Sequence, residues 1–345
     1  LSVQALGQIC TQAIQDHLRQ RGEPVVYQYL HAAALCGLAQ SQALALPEGR
    51  SILDLVRDFE TALDATFAYQ AGFSRFGTSG RTTPRSREVG LWWLDQSIEA
   101  TSASRIALPL ADRVEMEVVR FLQRCDSCTL EDVDRHLCLE FTSLLTPELD
   151  LILACLDSYA DCLTDQAGEA ASGAGVWKLR LQDYPQARRA DLAAMRQLLE
   201  MIGARLGYQV EELPSQAREE SAPPRTPLAW KEPDGRIAYR FYLLASAVLG
   251  DLVFPAQAPR RIDLEGAPQL PVKDLIVIPG GRAGLIGHKL QRDPRLQAAV
   301  QSGWRFLKFR HLRWLAENDN LERANLDEQL ELDPLSNRDP QMPLL

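Results

Sequence analysis

The side chains of this sequence with the most to offer chemically are cations interleaved with aromatic rings. Between Arg292 and Trp314, the residues Arg292, Arg295, Arg305, Lys308, Arg310, His311 and Arg313 alternate with Trp304, Phe306, Phe309 and Trp314. Cationic heads neutralise phosphates and aromatic faces stack on bases, so this composition suits nucleic acid. A plain amphipathic segment, with rings toward a core and charges toward water, has the same alternation, and the sequence leaves both readings open. Upstream, Pro279-Gly280-Gly281-Arg282-Ala283-Gly284-Leu285-Ile286-Gly287-His288-Lys289 follows a strand-like run, as phosphate loops do. Its spacing departs from that motif, since no Gly lies five residues before Gly287 and no Ser or Thr follows Lys289. It reads as a turn whose glycines permit positive φ, with Arg282 and Lys289 projecting to solvent or to an anion.

Other constellations fall short of a site. Cys125-Asp126-Ser127-Cys128 is followed by His136 and Cys138. Zinc needs four ligands converging on one point, and residues two apart on a helix face different ways, so the motif reads as a turn between helices holding buried thiols. A metal-dependent nuclease needs an Asp and then an acidic residue two before a Lys. Asp251 suits the first position, but Asp263-Leu264-Glu265 is followed by Gly266 and Ala267, and no acid-x-Lys triplet comes after it. No nucleophile elbow, zinc-protease helix or dinucleotide fingerprint occurs. The expectation is a chain with no catalytic residues, no cofactor and no metal.

Charge is unevenly distributed. The 345 residues carry a formal net charge of −9, which argues against a chain that coats nucleic acid throughout. Between Arg225 and Ala316, 15 Lys/Arg face 7 Asp/Glu, about +8, leaving the rest near −17. No run approaches the roughly 20 apolar residues of a membrane helix. Seven cysteines, an odd number scattered through apolar segments, suggest reduced thiols and a cytoplasmic setting. The start, Leu1-Ser2-Val3-Gln4, has neither an initiator Met nor a signal peptide, so a fragment of a longer protein is expected.

The elements that must carry these residues are mostly helical. Residues 3–44 predict a helical pair broken at Gly22-Glu23-Pro24, and Ser51 to Gly72 a further helix, ended by the polar run Gly77 to Arg85. From Leu110 a helix runs to about Cys125, and Thr129-Leu130-Glu131-Asp132 caps a second that reaches Phe141. Thr146-Pro147-Glu148 opens a third, with Thr146 as N-cap and Pro147 in the first helical position. A small-residue stretch, Gly168 to Gly175, precedes Val176-Trp177-Lys178-Leu179-Arg180-Leu181, which alternates as a half-buried strand does. Three helices, a flexible tip and a strand, over about Pro109 to Leu181, resemble a winged helix. In many members of that fold the third helix reads DNA in the major groove. Here that helix, Glu148 to Asp157, has no basic residue, so the resemblance implies protein contact, packing, or backbone contact through Lys178 and Arg180 of the wing strand.

A long amphipathic helix from Pro185 to Gly207 follows, and the Pro-containing stretch Ser215 to Pro227 reads as the clearest boundary. Beyond it are expected an apolar run from Ile237 to Phe254, a strand at Leu275 to Ile278, a helix from Pro294 to Gly303, and strand or helix from Trp304 to Trp314. From Asn318 the tail is acidic and reads as exposed or partly disordered. The fold class expected is α+β, mainly α. It comprises a helical N-terminal region (1–76), a winged-helix-like middle with a supporting helix (90–213), a small basic α/β domain (226–317) and an acidic tail (318–345).

The phrases Gly22-Glu23-Pro24-Val25-Val26-Tyr27-Gln28-Tyr29-Leu30-His31 and Gly90-Leu91-Trp92-Trp93-Leu94, with the winged-helix-like middle, resemble non-catalytic C-terminal regions of large bacterial DNA methylases and restriction or defence polypeptides. The chain lacks the methylase Asn/Asp-Pro-Pro-Tyr tetrapeptide and the cofactor-binding Gly motif, so the resemblance does not imply methyl transfer. The functional expectation is a non-catalytic module that positions nucleic acid, DNA above all, for a partner or further domain. Arg282, Lys289, Arg292, Arg305, Lys308, Arg310 and Arg313 would contact phosphates, with Lys178 and Arg180 on the wing. The alternative is a protein-interaction or oligomerisation scaffold that does not touch nucleic acid.

Overall fold

The computed structural model describes residues 2–44, 49, 51–68, 72–77, 86–95, 106–163, 175–213, 227–254 and 272–330. The chain is a mixed α+β protein, mainly helical. It divides into two compact units. One comprises Leu1–Arg113, Cys138–Pro147 and Arg292–Pro294, and the other Val114–Leu137, Glu148–Gln291 and Arg295–Leu345.

In the first unit, helices α1 (Val3–Arg21), α2 (Tyr27–Gln40) and α3 (Ile52–Ala68) and the antiparallel pair β1 (Phe73–Phe76) and β2 (Leu91–Leu94) share one core. Helix α1 is N-capped by Ser2, whose hydroxyl accepts the Ala5 N–H, and ends at Gly22 in the left-handed region (φ 75°). No side chain is tolerated at Gly22, because a Cβ there would lie 2.5 Å from the backbone oxygens of Ala107 and Leu108. The buried carboxylate of Glu23 pairs with Arg21 and accepts the Ala111 N–H. The two strands, which sequence periodicity missed, are short and lie beside stretches outside the described residues.

The second unit contains the remaining elements: α4 (Leu110–Arg124), β3 (Cys128–Thr129), α5 (Leu130–Glu140), α6 (Leu149–Tyr159), β4 (Ala160–Leu163), β5 (Val176–Leu179), α7 (Pro185–Arg205), β6 (Gln209–Glu212), β7 (Leu228–Lys231), β8 (Ile237–Leu243), α8 (Gly250–Val253), β9 (Lys273–Ile278), α9 (Ala283–Arg292), α10 (Pro294–Gln301), β10 (Trp304–Lys308), α11 (Phe309–Glu317) and α12 (Arg323–Leu330). A few of their terminal residues belong to the first unit. Strands β3, β5 and β4 form an antiparallel sheet in that order. The cap expected before α5 is present, with Thr129 Oγ1 accepting the Asp132 N–H and the Asp132 carboxylate accepting the Thr129 N–H. Helix α6 departs from expectation. It starts at Leu149 after Glu148, and the Thr146 hydroxyl donates back to the carbonyls of Phe141 and Ser143, closing a 3-10 turn instead of capping the helix.

The larger sheet has the order β10-β9-β8-β7-β6. Strands β6, β7 and β8 form an antiparallel meander, while β8, β9 and β10 run parallel. The β7–β8 turn has Gly235 at φ 85°, as a tight Asp-Gly turn requires. Strand β9 presents Leu275, Ile276, Val277 and Ile278, all buried, as expected of a parallel strand covered on both faces. Met195, Leu199 and Ile202 of α7 and Phe309, Leu312 and Leu315 of α11 cover one face, packed on Trp230, Phe241, Leu275, Val277 and Leu307.

Two boundaries read from the sequence are corrected. The Pro-containing stretch between β6 and β7 joins neighbouring strands of a single sheet and does not separate domains. The tail is not uniformly exposed, because Leu321, Leu326 and Leu330 are buried in the core under α7 and α11. Residues 331–345 lie outside the described residues, as do the polar run 78–85 and most of the small-residue stretch 168–175.

Candidate nucleic-acid interface

The nine cations expected to meet phosphate fall into three groups. Arg282, Lys289 and Lys308 are buried, at 0%, 3% and 5% exposure. This corrects the expectation that Arg282 and Lys289 project outward. The Gly-rich run is a 3-10 turn (Gly280–Arg282) leading into α9, and it aims both side chains into the unit.

There they complete a polar network. The Arg282 guanidinium pairs with the buried Asp183 carboxylate, donates to the Ser158 carbonyl and hydroxyl and to the Ala245 carbonyl, and lies 3.5 Å from the Tyr159 ring centroid. Lys289 Nζ pairs with the Glu115 carboxylate and donates to the Ala247 carbonyl at 2.9 Å. Glu115 also accepts the Tyr159 hydroxyl and, at 2.7 Å, the Ala247 N–H. Burial first, and then the Glu115 charge, push the Tyr159 phenol well above its ordinary value, so it remains a donor. Burial raises the Asp183 carboxyl, outweighing the lowering by Arg282 and Arg188. Charges removed from water in this way need partners, and these have them. The network joins α4, α6 and α9 to the backbone after β8 and offers no charge to a ligand.

The second group is tied at the surface. Arg180 donates to Asp161 and to the carbonyls of Ser158 and Asp157. Lys178 is exposed on β5, opposite Asp161 of β4. Lys178 and Arg180 therefore both lie beside the Asp161 carboxylate. Arg292 is half-buried and belongs to the first unit.

The third group is Arg305, Arg310 and Arg313, all exposed. Helix α11 turns Phe309, Leu312 and Leu315 inward, which leaves Arg310, Arg313 and Trp314 on the outer face at i, i+3 and i+4 spacing. Arg305 stands opposite Leu275 on β9, and Leu307, two residues on, opposite Val277. Both partners belong to the core under α7 and α11, so Arg305 lies on that same side of the sheet. Among the described residues, Asp191 of α7 pairs with Arg313 at 3.4 Å and Glu317 lies one turn along from Arg313. Arg205, which sequence reasoning passed over, donates to the carbonyls of Leu315 and Ala316 and so caps the C-terminal end of α11.

The aromatics separate in the same way. Phe306 and Phe309 are buried, and Trp304 packs on Tyr242 with ring centroids 5.2 Å apart. Of the six tryptophans, Trp314 alone is exposed, at 39%. The amphipathic reading thus holds for most of Arg292 to Trp314, and the outer face of α11 keeps two arginines and an exposed indole together. The helical period that buries Phe309, Leu312 and Leu315 is the sequence signal that isolates it.

The larger sheet does not gather carboxylates. Those on its strands are Glu211, Glu212 and Asp274, which pair with Lys231, Arg196 and Arg240 respectively. Among the described residues no group of three His, Cys, Asp or Glu side chains could hold a metal ion. His136 pairs with Glu117 at 2.9 Å, and all seven cysteines are free thiols. No helix among the described residues is long and apolar enough to cross a membrane. No protein-family model matches the chain, and no curated protein sequence matches it.

Proposed function

We propose that this chain is a non-catalytic, nucleic-acid-associated module of the cytoplasm that positions DNA for a catalytic partner or domain, in keeping with a bacterial modification or defence system. The observation that carries the reading is the outer face of α11, where Arg310 and Arg313 lie beside the exposed Trp314, with Arg305 on the same side of the sheet. The order α4-β3-α5-α6-β4-β5, with its three-stranded antiparallel sheet, supports reading the middle region as a winged helix. Its third helix exposes Glu148, Asp150 and Asp157, which repel phosphate, so the interface is assigned to α11 and β10.

The test is a salt titration of binding to labelled duplex DNA. Three phosphate contacts give a slope of log K against log salt of about −2.7, and an Arg305→Ala, Arg310→Ala, Arg313→Ala variant flattens it. No binding at low salt, or an unchanged slope in the variant, refutes the reading.

A scaffold role is favoured by a different feature, the exposed Ile52, Leu53 and Val56 on α3. Association through that patch would be insensitive to salt and lost in Leu53→Lys, as measured by sedimentation.

A further inference from the structure

We propose that the nucleic acid recognised at α11 presents an unpaired base, with Trp314 stacked on that base and Arg310 and Arg313 on the adjoining phosphates. This rests on the nucleic-acid reading above and narrows its ligand to single-stranded or locally opened strands.

The argument starts from what each group can reach. In a duplex the faces of the bases are covered by their neighbours, so a protruding indole meets only edges and sugar–phosphate. An unpaired base offers its π-face, and stacking on it tolerates any sequence. Trp314 is the one exposed tryptophan, held on a helix whose opposite side is locked in the core by Phe309, Leu312 and Leu315 and whose end is capped by Arg205. Its ring is thus presented by a fixed backbone. Arg313 precedes it and Arg310 lies one turn before, so both cations lie on the same, N-terminal side of the ring. Asp191 pairs with Arg313 at 3.4 Å, so a phosphate at this position competes with that carboxylate for the guanidinium.

The experiment compares the full chain with Trp314→Ala and Trp314→Phe. The probes are a labelled single-stranded oligonucleotide, its duplex, and an abasic strand of equal length and charge. The expected result is that Trp314→Ala weakens single-strand binding by about 5- to 20-fold, at the low end for a partly exposed ring. Trp314→Phe should retain most of the affinity, and duplex and abasic binding should be unchanged in either variant. Equal losses on single strand, duplex and abasic strand, or no loss on any, overturn the stacking inference while leaving phosphate binding in place. Absence of binding by the unmodified chain to every probe overturns the underlying reading and this inference with it.

Discussion

Replacing Lys289 by Met tests whether the cations of the Gly-rich run serve the core or a ligand. Lys289→Met keeps the aliphatic volume and removes the ammonium, leaving the fully buried Glu115 carboxylate with only the Tyr159 hydroxyl and the Ala247 N–H. Breaking a buried pair by removing one partner costs about 3–5 kcal/mol. With a urea m-value of about 3 kcal/mol per M, the midpoint for the second unit falls by about 1–1.7 M. Adding Glu115→Gln removes the stranded charge while keeping an oxygen to accept from Tyr159 and Ala247. The double variant therefore recovers all but about 1–2 kcal/mol, the remainder reflecting the Ala247 carbonyl, which has lost its donor. The assay is urea unfolding followed by circular dichroism for both single variants and the double, analysed as a cycle. A Lys289→Met cost below about 1 kcal/mol, or a double variant as unstable as the sum of the singles, would refute the assignment of Lys289 to the core.

Further outcomes follow from local geometry. Thr129→Ala removes the hydroxyl that accepts the Asp132 N–H at the start of α5 and is expected to cost about 1 kcal/mol by the same unfolding assay. Gly203→Ala would set a Cβ 2.6 Å from Val210 Cγ2 and 2.7 Å from Trp230 Nε1, so α7 must move off the sheet, at about 1–3 kcal/mol. In the first unit, burial and then Arg21 lower the His17 imidazole from 6.5 to about 4. The folded state resists its protonation, so this group's contribution is complete above pH 6.5 and is lost as pH falls toward 4. His17→Gln should flatten that part of the pH profile of the urea midpoint.

Hydrophobic periodicity alone makes most of the helices legible. Phe59, Leu63 and Phe67 mark α3, and Met195, Leu199 and Ile202 mark α7; capping by Thr129 and Asp132 marks the start of α5. Strands of four residues such as β1, β2 and β4 offer too few positions to establish a period of two. The site is legible only as composition. Alternation between Arg292 and Trp314 says which side chains are basic, whereas burial is decided by partners far along the chain. Asp183 claims Arg282 from 99 residues away and Glu115 claims Lys289 from 174. The stretch between β6 and β7 misleads for a related reason. Pro and charge mark an exposed connection equally well whether it separates domains or joins adjacent strands, and only the pairing of Gln209 with Lys231 distinguishes the two.

The parallel half of the larger sheet bears on how the chain assembles as it is made. The meander β6-β7-β8 closes through local turns, but Arg240 and Asp274, paired across β8 and β9, are 34 residues apart, and β9 then waits for β10. At about 5–20 residues per second, the apolar run Leu275 to Ile278 leaves the ribosome roughly 2–6 s before Lys308, with one edge unpaired for that interval. Such an edge is a template for intermolecular pairing. Ending synthesis before Trp304 would make that exposure permanent, so C-terminal truncation is expected to cause insolubility before it affects any ligand.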